Sequence, residues 1–129
     1  MTQALRKVLL AKIHGATVTE ANVDYEGSIT IPEDILSATG LLPHEAVAVW
    51  NVTSGSRFET YILRGEAFSR EFLVNGAAAH LVKPGDQIIV AAFGLLPYAE
   101  AVTHEPKVVF MNRDNSVKAI RGEKPRTVA

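Results

Sequence analysis

The sequence predicts a mainly β domain, a small barrel carrying one or two short helices, and three observations predict it. Apolar and β-branched residues alternate in short runs such as AVAVWNV and RFETYIL, the two-residue period of half-buried strands. Those runs are separated by clusters such as Thr53-Ser54-Gly55-Ser56, which is turn chemistry. The third is an internal echo: with Pro43 laid over Pro84, LPHEAVAVW matches KPGDQIIVA as proline, any residue, acid and then a β-branched strand. Two such units related by pseudo-symmetry would close a small barrel and remove exposed strand edges, although proline-acid turns before strands also arise independently.

In chain order, LRKVLLAKIHGATVTEANVDY reads as two extended segments around a bend at Gly15. VDYEGSITIP, Val23 to Pro32, is strand-forming but sets Gly27 directly before Ser28. In IPEDILSATG a short helix is expected: Pro32 suits its first position, Glu33 and Asp34 match the positive end of its dipole, and Gly40 suits a left-handed C-terminal position. AVAVWNV and RFETYIL then read as a hairpin, and EFLV, QIIVAAF and KVVFM as further strands. The tail RDNSVKAIRGEKPRTVA is polar and is expected to be loose over about residues 118 to 129.

A chain of 129 residues with 47% apolar and 21% charged residues suits one domain, 1–129, with one core. Thirteen basic against 14 acidic residues give a net charge of −1, which leaves no global positive field to draw the protein onto nucleic acid. Cysteine is absent, so no disulfide, thiolate nucleophile or cysteine-bound metal is available. With no charged-then-apolar leader and no apolar run of about eighteen residues, a cytoplasmic protein without a membrane partner is expected. His14, His44, His80 and His104 never fall in an HxH or HxxxH pair, and no metal site is expected.

Gly27-Ser28 admits two readings. One is a bulge or tight bend, the usual reason for glycine within a strand pattern. The other is chemical: a carbonyl unshielded by a Cβ, followed by a hydroxyl able to attack it. The Ser28 oxygen would add to the Gly27 carbonyl, pass through an oxyanion and take over the acyl group as an ester. Elimination of that ester leaves dehydroalanine at position 28, which hydrolyses with loss of ammonia to a pyruvoyl group.

KIH at 12 to 14, YEGS at 25 to 28, WNVTSGSRFETY at 50 to 61 and VNGAAAH at 74 to 80, in that order and at matching intervals, resemble the pyruvoyl-dependent aspartate 1-decarboxylase family. The likeness runs from about Leu9 to Phe93 and loosens beyond it. It implies a double-psi β-barrel, and a proenzyme cut into a β chain, 1–27, and an α chain, 28–129, headed by a pyruvoyl group made from Ser28. It also implies a homotetramer with active sites between subunits. The implied reaction takes L-aspartate to β-alanine and carbon dioxide through a Schiff base, in the pantothenate and coenzyme A pathway. Loss of carbon dioxide from an α-carbon needs an electron sink that side chains lack. Pyridoxal phosphate, the usual rival, is not expected in a chain this small without a glycine-rich phosphate cradle.

By the same resemblance Arg57 holds a substrate carboxylate with its planar fork, and Lys12 supplies a second positive charge. Tyr61 is the proton donor to the decarboxylated carbon. Thr60 stabilises the oxyanion of self-cleavage and, with Gly76, Ala77 and Ala78, lines the substrate pocket. Asn75 supports the cleavage site, and Tyr25 and Glu26 flank it; His14 and Trp50 match the family as packing or supporting residues. Without the resemblance, Arg57 reads as a solvated hairpin arginine, Lys12 as a snorkelling edge residue, Tyr61 as packing and Asn75-Gly76 as a plain turn. Ile29 and Glu59 depart from the familiar pattern, which leaves open the rate of self-processing and the need for a maturation helper protein. An alternative resemblance is to the swapped-hairpin barrel of bacterial transition-state regulators and antitoxins, carried by GSITIPEDILSATGLLPHEAVAVW. Those are DNA-binding dimers, whereas Glu33, Asp34 and Ser37 occupy the short helix here, and its two carboxylates would repel a polyanion.

Overall fold

Alternation decides where the strands lie. The computed structural model describes residues 4–123. Its first strand, β1 (Leu5–Thr17), buries Ala11, Ile13 and Ala16, with polar neighbours between them facing the other way. After it come β2 (Glu20–Asn22), β3 (Ser28–Pro32), α1 (Glu33–Thr39), β4 (Ala46–Asn51), β5 (Arg57–Gly65) and β6 (Leu73–Asn75). A 3-10 turn (Gly76–Leu81), β7 (Gln87–Pro97), α2 (Tyr98–Ala101), β8 (Lys107–Met111) and β9 (Val117–Gly122) complete the order. The protein is mainly β with few short helices, as expected. No helix among the described residues is long and apolar enough to cross a membrane.

The strands form one nine-stranded mixed sheet in the order β2-β6-β3-β5-β4-β7-β1-β8-β9. β5 serves two neighbours: Arg57 to Tyr61 pair with β4, and Ile62 to Gly65 pair with β3. The inner face is one core drawn from both ends of that order, including Ile13, Ile29, Ile31, Val49, Ile62, Phe72, Val90 and Val109, consistent with a small β-barrel. Hydrogen-bonded closure, expected from the echo, is absent from the described ladder, which ends at β2 and β9. The β2 edge is only three residues long, a short edge that offers little to template further pairing.

The proline echo corresponds to a real two-fold relation. Leu42 to Glu45 and Lys83 to Asp86 form matching turns, closed by Glu45 N–H to Leu42 O at 3.2 Å and Asp86 N–H to Lys83 O at 2.9 Å. In each, the acid side chain accepts the first residue's N–H, Leu42 to Glu45 at 3.1 Å and Lys83 to Asp86 at 2.9 Å. In each, proline is followed by a positive φ, 72° at His44 and 96° at Gly85. The strands they launch, β4 and β7, pair with each other through Val49 and Val90, the two positions that the echo superposes. The pseudo-axis therefore passes between β4 and β7, at the centre of the sheet order.

Three local expectations change. Gly15 does not split the first segment, because its φ of 86° absorbs a bulge between His14 and Ala16 and β1 runs on to Thr17. Pro32 is not the first helical residue: with ψ 141° it ends β3 and caps α1 from outside, whereas Gly40 takes the left-handed C-terminal position at φ 78°. Asn75-Gly76 is a turn, as its residues suggest, and opens the 3-10 segment. The tail expected to be loose from about 118 instead forms β9, paired antiparallel with β8; the rest of that expectation, 124–129, lies outside the described residues.

Candidate active site

Ser28 begins β3, and its pairing with Asn75 on β6 sets the centre of the site. The preceding residues Tyr25, Glu26 and Gly27 lie in an exposed bend, while Ser28 is completely buried. The Gly27-Ser28 peptide thus spans the boundary between solvent and core. The Ser28 hydroxyl donates to the Glu26 carbonyl at 3.5 Å and accepts from Asn75 Nδ2 at 3.3 Å. Both bonds are long, so the oxygen is directed without being tightly held. A cavity of about 480 Å³ lined by Tyr25, Thr30, Leu63 and Asn75, among others, opens beside this segment.

The glycine that the geometry demands is Gly76, one residue past Asn75. It has φ 72°, and a Cβ there would stand 2.4 Å from Gly27 Cα and 2.6 Å from Gly27 N, distances at which backbone must move. Gly27 has no positive φ, and a Cβ on it would meet only Asn75 O at 3.8 Å, ordinary contact. Of the reading as a bulge or tight bend, the bend is present; the constraint on it comes from the neighbour pressed against it rather than from a positive φ at Gly27.

Continuing the parallel register of Ile29 with Ile62 back along both strands sets Thr60 abreast of Gly27. Thr60 is half-buried, Gly76 buried, Ala78 half-buried and Ala77 exposed. Of these small residues, Gly76 is pressed against the Gly27-Ser28 bend. Arg57 and Tyr61 lie on the opposite, outward side of β5, where alternation also puts Glu59.

That outward face carries the remaining candidates. Cross-strand pairing sets Arg57, Trp50, Ile89, His14 and Phe110 in one row, and Glu59, Ala48, Ala91, Lys12, Val108 and Arg121 in the next. The Arg57 guanidinium lies over the Trp50 ring at 4.6 Å, a stacking that orients its planar fork. His14 packs against Phe110 with ring centres 5.4 Å apart, and its buried Nδ1 has no hydrogen-bond partner among the described residues. Burial of the ring lowers its pKa, Lys12 adds to the effect, Glu123 opposes it and Arg121 lowers it further. Lys12 and Arg57 are three strands apart, roughly 14 Å at the backbone, and Lys12 leans the other way to pair with Glu123 at 3.2 Å.

The structure thus brings Gly27, Ser28, Asn75 and Gly76 together, with Tyr25 and Thr60 beside them. It gathers Arg57, Tyr61 and Lys12 on the outward face without joining Lys12 to the others. Trp50, expected as a packing or supporting residue, supports Arg57 from across the hairpin. Glu123 carried no signal, because its partner is 111 positions away. Among the described residues no group of three His, Asp or Glu is arranged to hold a metal.

Comparison with known proteins bears on the same residues. The model of the aspartate decarboxylase family matches residues 4–118. An aspartate 1-decarboxylase of Legionella pneumophila (strain Lens) is 54% identical over 121 residues, covering 94% of this chain and 91% of the relative. One from Bacillus pumilus is 49% identical, over 95% of this chain and 98% of its own, and one from Rhodopirellula baltica is 48% identical, over 92% and 76%. The match spans the Gly27-Ser28 bend, the Asn75-Gly76 turn and the Arg57 hairpin alike, and on that basis the chain belongs to the aspartate decarboxylase family.

Proposed function

We infer that the chain decarboxylates L-aspartate to β-alanine and carbon dioxide, after cutting itself between Gly27 and Ser28. The observation that carries this reading is a buried serine hydroxyl directed by Asn75, at a bend that only a glycine at 76 allows to pass. In self-cleavage the Ser28 oxygen attacks the Gly27 carbonyl carbon, its proton passes to the departing nitrogen, and Thr60 donates to the oxyanion. Asn75 donates to the attacking oxygen, so it positions Ser28 and is not its base. Among the described residues no titratable side chain is hydrogen-bonded to Ser28, which supports slow self-processing and leaves room for a helper protein.

A pyruvoyl group at position 28 fits these residues: its place is buried, and the Gly76 backbone lies where a side chain would collide. When present it supplies the conjugated carbonyl that accepts the electron pair released with carbon dioxide. Arg57, held over the Trp50 ring, offers a bidentate fork to one carboxylate, and Lys12 adds the second positive charge. Tyr61, half-exposed on the same side of β5 as Arg57, returns a proton to the substrate carbon. Gly76, Ala77 and Ala78 leave room for the substrate. Within one chain Lys12 lies too far along the ladder to share a small dicarboxylate with Arg57. That separation supports a homotetramer in which a neighbouring subunit completes each site, in a cytoplasmic enzyme.

Family membership decides against the swapped-hairpin regulator, and Glu33 and Asp34 in the first turn of α1 oppose a phosphate backbone. Intact-mass measurement tests the central claim. Fragments 1–27 and 28–129 are expected, the second lighter by one ammonia than a chain beginning with serine, together with β-alanine formation from aspartate. A chain that stays whole after prolonged incubation, with cell extract present as well, overturns it.

A further inference from the structure

Lys12 is already neutralised by a carboxylate of its own chain. Its side chain is 12% exposed, and Glu123, at the end of β9 and 45% exposed, reaches it at 3.2 Å. A mostly buried ammonium needs a counter-charge, and this one comes from the more solvated partner. The charges acting on neighbouring His14 are those of Lys12, Glu123 and Arg121, so removing Glu123 leaves two cations facing the same space. Arg121 is held over the Phe110 ring at 4.1 Å and does not take the place of Glu123. A substrate carboxylate approaching Lys12 meets a position that a carboxylate already fills.

We propose that Glu123 is a built-in competitor for Lys12: it occupies the ammonium in the empty site, must be displaced when aspartate binds, and thereby sets the apparent substrate affinity. This rests on the reading of Lys12 as a substrate contact. The exchange is one carboxylate for another, so the charge of the site is the same before and after binding. The cost is the rupture of one half-exposed ion pair.

The test uses the mature, self-cleaved enzyme carrying Glu123→Gln, which keeps the shape and removes the charge. KM for L-aspartate is expected to fall about two- to fivefold, the worth of such a pair, with kcat moving less than twofold; Glu123→Asp restores the original KM. Succinate, a dicarboxylate without the amine, should bind the Gln variant tighter by a similar factor in calorimetry. An unchanged or raised KM, or unchanged succinate affinity, overturns the proposal. Lys12→Ala separates the two claims. If it leaves KM for aspartate as it was, the assignment of Lys12 fails; if it raises KM and Glu123→Gln still lowers KM in that background, Glu123 does not act through Lys12 and the proposal alone fails.

Discussion

Gly76 has no freedom to change. Gly76→Ala puts a methyl 2.4 Å from Gly27 Cα at a φ of 72°, combining a backbone collision with a left-handed conformation that costs a residue with a Cβ about 1–2 kcal/mol. Processing of this variant, followed by gel over time, is expected to stop or slow by orders of magnitude, and an unaltered rate would show that the bend tolerates displacement. Asn75→Ala removes the one side chain among the described residues that is hydrogen-bonded to Ser28 and should slow cleavage without abolishing it, whereas Ser28→Ala should abolish both cleavage and turnover. His14 gives a pH signature. Its folded pKa lies below the ordinary 6.5, so the fold favours the neutral ring. Its contribution to stability is complete above about 6.5 and is lost as pH falls through the lowered value. Thermal melts from about pH 7 down to about pH 5 should therefore show a shallower acid slope for His14→Gln than for the unsubstituted protein.

The β4-β5 hairpin shows what an element owes to one buried side chain. Asn51 is 2% exposed. Its Oδ1 accepts the N–H groups of Thr53 and Ser54, and its Nδ2 donates to Leu81 O and to Asp86 Oδ2 at 2.8 Å. It thus ties the hairpin turn to the 3-10 segment and to the β7 launching turn. Asn51→Ala strands several of these partners and should cost about 2–3 kcal/mol, read as a lower urea midpoint; a loss under about 0.5 kcal/mol would mean that water replaces it. This hairpin was legible because alternation and turn chemistry sit next to each other in the chain. β9 was not: none of its six residues is buried, all being half-exposed or exposed. It is ordered by its ladder with β8 rather than by any hydrophobic period of its own. The same distinction governs the site. Ser28 and Gly27 announce their chemistry as neighbours, while the pairing of Lys12 with Glu123 and the pressure of Gly76 on Gly27 exist only once distant strands meet.

For the whole molecule, the matching turns at Pro43 and Pro84 mean that the two halves share one core across the β4-β7 seam. Ile13 from one half and Ile62 from the other are both fully buried, and either one changed to Ala should cost about 2–5 kcal/mol, with a single cooperative unfolding transition in each case. Two separate transitions would argue for halves that fold independently. The position of β1 has a further outcome. It is hydrogen-bonded on one side to β7 and on the other to β8, and it delivers Ala11, Ile13 and Ala16 to the interior. Severing the backbone after residue 27 would therefore not release the amino-terminal piece, which is clamped between two strands of the larger piece. Under native conditions the two polypeptides should travel together through gel filtration, and only denaturant should part them. Because the small piece cannot be threaded into a finished sheet, a sample unfolded after scission should reassemble far less readily than the uncut precursor.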